Sequence, residues 1–137
     1  MGYAGYVTQC YSTGPVSGTS AVGGLVGSNG GFGDLIAFVA ECYSTGAVTG
    51  TGSAVGGLVG ENSDGIVTVS FWDAQTSGQT KSAGGTGKST AAMQTAKTFL
   101  DAGWDFVGET KNGTADIWWI LEGKDYPRLW WERNPEN

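Results

Sequence analysis

Histidine is absent from all 137 residues. Its absence removes the commonest general base, the usual catalytic metal ligand and the side chain that titrates nearest neutrality. Basic residues are scarce: seven Lys plus Arg stand against thirteen Asp plus Glu, for a formal net charge of −6. Such a chain cannot build the clustered basic face that phosphates require, so nucleic acid is not an expected partner. Proline occurs three times, too rarely for a collagen-like chain. Cysteine occurs twice, and two thiols without histidine do not make a zinc site. No apolar run is long enough to span a bilayer, so no membrane insertion is expected. Met1 leads directly into Gly2-Tyr3-Ala4-Gly5, without the basic start and apolar stretch of a secretory leader.

Glycine, by contrast, is abundant, at 25 residues, more than twice the ordinary share of about 7%. Six Trp, five Tyr and five Phe argue against disorder, since disordered chains lack aromatics. The glycines instead mark an internal repeat. Residues 9–29 read QCYSTGPVSGTSAVGGLVGSN and residues 41–62 read ECYSTGAVTGTGSAVGGLVGEN, with one inserted residue near Gly52-Ser53. A degenerate third copy is read by aligning Val67–Asp73 so that Ser70, Phe71 and Trp72 match Glu41, Cys42 and Tyr43.

Each copy holds short β-prone runs (Val7–Tyr11, Ala21–Val26, Val39–Tyr43, Ala54–Val59) separated by Gly, Ser, Thr and Asn in turn-forming combinations. A unit of about 32 residues with three short strands cannot bury its own apolar side, and stacking copies solves this. The expected fold is therefore all-β, a parallel β-solenoid of about three rungs over residues 1–75. Residues 76–137 follow as a glycine loop, one short helix and two short strands forming a Trp-rich cap, continuous with the rungs. A propeller blade needs more residues per copy and more copies. Alternation along the strands places Gln9, Glu41 and Ser70 toward solvent, and with them an outward ladder of Tyr11, Tyr43 and Trp72. Cys10, Cys42 and Phe71 then face inward. The two cysteines lie one repeat apart, compatible with a disulfide or with two reduced thiols stacked in the interior.

Gly24-Leu25-Val26-Gly27 and Gly57-Leu58-Val59-Gly60, each preceded by Cys-Tyr-Ser-Thr-Gly at 10–14 and 42–46, resemble the GLUG repeat family. The stretch from Trp72-Asp73 through Thr76-Ser77-Gly78-Gln79 to Ser82–Gly87 is similar to the same family, and so are Gly103–Phe106 and Tyr126–Leu129. The resemblance implies a secreted or surface-bound microbial protein, adhesin-like or protease-associated, in which the repeat is not the catalytic part. Residues 30–40 depart from it as a longer, apolar link.

Gly84-Gly85-Thr86-Gly87-Lys88-Ser89 looks like a phosphate loop, but Ser82 stands where the first glycine belongs. A helix over Thr90–Ala102, N-capped by Ser89 and stopped by Gly103, is expected to cover the last rung's open edge. Strands are expected at Asp116–Leu121 and Arg128–Glu132. Trp104, Trp118, Trp119, Trp130 and Trp131 read as a capping core, with Trp118 and Trp119 as candidates for stacking on a saccharide. Asp34, Asp64 and Asp73 fall near turns, where they either bind calcium or cap their own backbone; no other cofactor is expected. Asn112-Gly113-Thr114 fits a glycosylation sequon or a simple turn. Glu41, Asp73 and Asp105 are the carboxylates an enzyme would draw on, but nothing in the sequence pairs them. The expectation is thus a non-catalytic extracellular or cell-surface structural and adhesive module. With no polar segment ahead of the first rung, it stacks head-to-tail on itself into a filament or on other parts of a larger surface protein. A carbohydrate-binding module using Tyr11, Tyr43, Trp72, Trp118 and Trp119 is the alternative.

Overall fold

A computed structural model describes residues 2–133, and the side chains from residue 5 onward; the Met1 start of the reading above lies outside them. The chain is built mostly of strands with few helices and divides into two compact units, one ending at Ser89 and one beginning at Thr90. The expected division after residue 75 falls earlier than this one, because residues 76–88 remain hydrogen-bonded to the repeats.

In the first unit the first repeat supplies β1 (Gly2–Thr8), β2 (Tyr11–Ser12), β3 (Val16–Gly18), β4 (Val22–Gly23) and β5 (Val26–Gly30). The second supplies β6 (Leu35–Ala40), β7 (Tyr43–Ser44), β8 (Val48–Gly50), β9 (Val55–Gly56) and β10 (Val59–Ser63). The third supplies β11 (Ile66–Thr68) and β12 (Phe71–Asp73), with β13 (Thr86–Lys88) after it. Every strand pairs in parallel with its equivalent in the next repeat: β1-β6-β11, β2-β7-β12-β13, β3-β8, β4-β9 and β5-β10. Tyr11 lies beside Tyr43 and Val16 beside Val48, while Val22 lies beside Val55; the later register absorbs the residue inserted in the second copy. Only the start of the 30–40 link is a tight turn, with Phe32 and Leu35 exchanging two 2.9 Å backbone hydrogen bonds around Gly33, whose φ is +62°; the rest of it is β6, a regular strand of the second repeat.

Two expectations are corrected by a corner. Gln9, Glu41 and Val69 have φ of 53°, 52° and 42°, so each ends a strand and turns the chain. The residue after each one clamps the corner. Cys10 Sγ donates to Thr8 O (3.1 Å), Cys42 Sγ to Ala40 O (3.1 Å) and Ser70 Oγ to Thr68 O (2.9 Å). Ser70 is therefore the third-repeat equivalent of the cysteines, and Phe71, not Trp72, lies beside Tyr43. A slip of one residue reverses which side chain faces the interior. The corner also resets the alternation, so the residues after it point inward. Tyr43 and Phe71 are buried, and the Tyr11 and Tyr43 rings stack at 5.0 Å and 6°. The outward ladder of Tyr11, Tyr43 and Trp72 is not formed.

The interior gathers Leu58, Val59 and Trp72 with Leu25, Val26, Val67 and Ala74. Gly57 is required there because a Cβ would enter the Trp72 indole, which donates from Nε1 to Gln79 O (2.8 Å). The third repeat then takes a short cut. Ser77 O accepts from Val48 N (3.0 Å), Lys81 O accepts from Gly57 N (2.9 Å) and Ala83 N donates to Val59 O (2.9 Å). Gly84 and Gly85 pass directly against Val67 and Leu58, where side chains would not fit, and the chain returns beside Phe71 as β13.

In the second unit the expected helix over 90–102 is broken into α1 (Thr90–Met93) and α2 (Ala96–Leu100). Thr95 is extended (φ −121°, ψ 122°) and its hydroxyl donates to Ala91 O, which satisfies a carbonyl the helix would otherwise use. The two expected strands shrink to the antiparallel pair β14 (Trp118–Trp119) and β15 (Arg128–Leu129), and Trp130–Glu132 form a single 3-10 turn. The core is aromatic: Phe99 meets Trp104 at 4.7 Å, and Trp104 meets Trp118 at 4.6 Å.

Candidate functional site

The candidate residues separate by burial. Tyr43, Trp72 and Trp118 are buried in their own cores, and Tyr11 is half-buried beneath a stacked ring. None of the first three offers a face to a sugar. Trp119 is half-buried, its indole fixed by donation to Leu129 O (3.0 Å). It lines a cleft of about 400 Å³ in the second unit with Leu100, Phe106, Leu121, Glu109 and Arg133. The Glu109 carboxylate is already engaged, accepting from Phe106 N (3.2 Å) and Asn112 N (2.9 Å). Trp130 and Trp131 are exposed.

The cysteines are free thiols at neighbouring register positions. Cys42 is fully buried, and burial pushes its thiol up to about 12. Cys10 is exposed, because the first repeat has a partner on one side only. Of the turn aspartates, Asp73 is fully buried and its Oδ1 accepts from Gln75 N (2.9 Å) and Thr76 N (3.0 Å). Asp64 holds a left-handed turn at φ 62°. Among the described residues no three carboxylates or thiols gather into a metal-binding group. Asp105 Oδ2 accepts from Ala115 N (2.8 Å), and Glu41 lies 3.5 Å from Gln9 Nε2 at the corner. Asp125 balances two effects: burial pushes its carboxyl up, but hydrogen bonds from Arg128 and Tyr126 N, with the Arg128 charge, hold it below the usual range. Asn112 spends its amide on Leu100 O (2.8 Å) and Trp104 O (3.1 Å), so the sequon is a structural turn. The glycine-lysine motif is not a phosphate cradle either. Thr86 N donates to Ser70 O (3.0 Å) and Gly87 pairs with Trp72 in β13.

No family model matches the chain, and no solved structure matches it. A "Putative Gly-rich membrane protein" of Evansella cellulosilytica is 44% identical over 79 residues, an alignment covering 55% of this chain and 8% of that protein. No helix among the described residues is long and apolar enough to cross a membrane.

Two surfaces stand out, of which the sequence reading named only the open side of the first repeat. One is an outward stripe of Tyr6, Phe38 and Ile66, in register on β1, β6 and β11. Tyr6 and Phe38 stack at 5.4 Å, and Tyr6 and Ile66 are exposed at 59% and 39%. Its signal was available: these three precede Val7, Val39 and Val67, which face the other way. The second is the free side of the first repeat, where Ser12, Val16, Val22 and Leu25 line a cavity of about 480 Å³.

Proposed function

We propose that the chain is a non-catalytic structural module, a GLUG-like parallel β-solenoid of about three turns serving as a stiff, adhesive segment of an extracellular or cell-surface protein. One observation carries this reading: strand after strand pairs in parallel with its equivalent one repeat on. Of the candidate carboxylates, Asp73 and one oxygen of Asp105, meanwhile, accept from their own backbone, and Glu41 lies beside Gln9 at a corner. The alignment with the glycine-rich relative covers about 8% of that protein, which is consistent with a segment of a larger protein.

Single-molecule stretching tests the architecture. Stacked turns peel off in steps of one repeat, near 11 nm for 32 residues at about 3.6 Å each. A single all-or-none rupture of the whole first unit would sink it. The cell-surface placement is tested by antibody labelling of intact cells that express the full protein, and labelling only after lysis would reject it.

A second reading has support in the second unit alone. There Trp119 borders a cleft with a charged rim, and Trp130 and Trp131 stand exposed nearby in sequence. If this unit holds a glycan, array binding is lost on Trp119→Ala. An array with no signal removes the reading.

A further inference from the structure

We propose that the free side of the first repeat is a docking edge for another glycine-rich repeat carrying the same Cys-Tyr-Ser-Thr-Gly and Gly-Leu-Val-Gly signature. The proposal rests on the stacked-repeat reading above and names the partner of that stack. Among the described residues β3, β4 and β5 each pair on one side only, so a row of backbone groups faces outward beside the cavity over Val16, Val22 and Leu25.

The chain contains its own control. Val48, Leu58, Val59 and Cys42 in the second repeat are 0–3% exposed. Their first-repeat equivalents Val16, Leu25 and Val26 are half-buried and Cys10 is exposed, although Val22 is buried where its equivalent Val55 is half-buried. The sequences match, and the second repeat is covered on both sides where the first is covered on one. The chain also displays what fits such an edge. Gly46 lies so close to the Gly14 carbonyl that a Cβ would not fit between them, whereas nothing lies within 4 Å of a Cβ added at Gly14. A repeat that presents a Ser-Thr-Gly carbonyl at that height would fit this edge as the first repeat fits the second. The third repeat of a second copy does not supply it. That repeat lacks the Gly-Leu-Val-Gly turn and runs only from Phe71 to Thr86 before returning to the same sheet.

The test compares the full chain with the same chain carrying a duplicate of residues 9–40 inserted ahead of Gln9, with Cys10→Ser in the inserted copy. Ser70 shows that serine serves at this corner. Docking predicts that alkylation of the original Cys10 by iodoacetamide slows at least about tenfold. It also predicts a higher Tm, and a Gly14→Ala change as damaging in the extended chain as Gly46→Ala is in the original. Fast alkylation with a neutral Gly14→Ala, while Gly46→Ala still destabilises, overturns the docking edge and leaves the stacked reading intact. A neutral Gly46→Ala in the original chain overturns both. Loss of cooperative unfolding on insertion also overturns the proposal, because a docked repeat adds stability. So does protection of Cys10 in the unmodified chain with rising concentration, which would give the edge to a second copy.

Discussion

Gly14 and Gly46 close the same Ser-Thr-Gly motif one repeat apart, yet substituting them should have opposite effects. Neither has a positive φ, so alanine is conformationally acceptable at both and, taken alone, stabilises by about 0.4–1 kcal/mol through the unfolded chain. At Gly14 a Cβ meets nothing within 4 Å. At Gly46 it meets the backbone carbonyl of Gly14, and no side chain can rotate away to relieve the contact. Restoring van der Waals distance requires the two strands to part by on the order of 1 Å. The flanking hydrogen bonds, Thr45 N to Ser12 O at 3.0 Å and Val16 N to Ala47 O at 2.8 Å, would then stretch beyond bonding range. Losing both costs about 2 kcal/mol, and the remaining overpacking about 1–2 more. The unfolded-state gain is common to both, so Gly46→Ala should be less stable than Gly14→Ala by about 3–4 kcal/mol, a separation in Tm of more than about 10 °C for a unit of this size. Thermal unfolding followed by circular dichroism reads it directly. Equal Tm values for the two variants would refute parallel stacking of the repeats at this position.

Three further outcomes follow from the corners and the interior. Val69 holds a left-handed φ of 42°, costly for a β-branched residue, so Val69→Asn should raise stability by about 1 kcal/mol in urea unfolding, and a loss of stability would show that the corner is not strained. Asn29 is buried and donates to Asn62 Oδ1 (2.9 Å) and Ile66 O (3.3 Å); Asn29→Asp turns donor into acceptor and should cost about 2–3 kcal/mol by the same measurement. The Cys42 thiol is pushed from 9.0 to about 12 by burial, so its contribution is fully present below about pH 9 and is lost as pH rises toward 12, up to about 4 kcal/mol. Cys42→Ser should flatten that alkaline decline in the urea midpoint, and an unchanged decline would assign it to other groups.

Much of the first unit was legible because the repeat is nearly literal. The equivalence of residues 9–29 with 41–62 sets the parallel partners before any coordinate is known, and the inserted residue near Gly52 appears where the register changes between β8 and β9. What misled was treating Val7–Tyr11 and Val39–Tyr43 as continuous strands. Nothing in Gln9 or Glu41 announces a left-handed residue, since neither is Gly, Asn or Asp. Once the chain turns there, alternation before the corner says nothing about Tyr11 and Tyr43 beyond it. The third repeat was misaligned by one residue for a related reason: Cys was matched to Phe by hydrophobicity, although its role at the corner is to donate a hydrogen bond, which Ser70 performs. The second unit was less legible. Its broken helix depends on the extended Thr95, and its short strands depend on aromatic packing that periodicity does not encode.

The same corners bear on where the small polar side chains of this chain are spent. Every turn of a chain built from short strands strands backbone donors and acceptors that must find partners. Here small polar side chains supply them. Cys10, Cys42 and Ser70 clamp the corners, and Ser44 reaches Gly57 O at 2.8 Å. Ser82 Oγ accepts from Leu58 N and Val59 N, and Gln79 donates to Val48 O. Asp73, Asp105, Glu109 and Asn112 do the same work in their turns. Glycine is then needed wherever two repeats, or a repeat and an indole, approach too closely for a side chain, as at Gly46 and Gly57. A composition rich in glycine and short polar residues suits such close parallel pairing, and among the described residues the backbone edge of the first repeat is left without a paired strand.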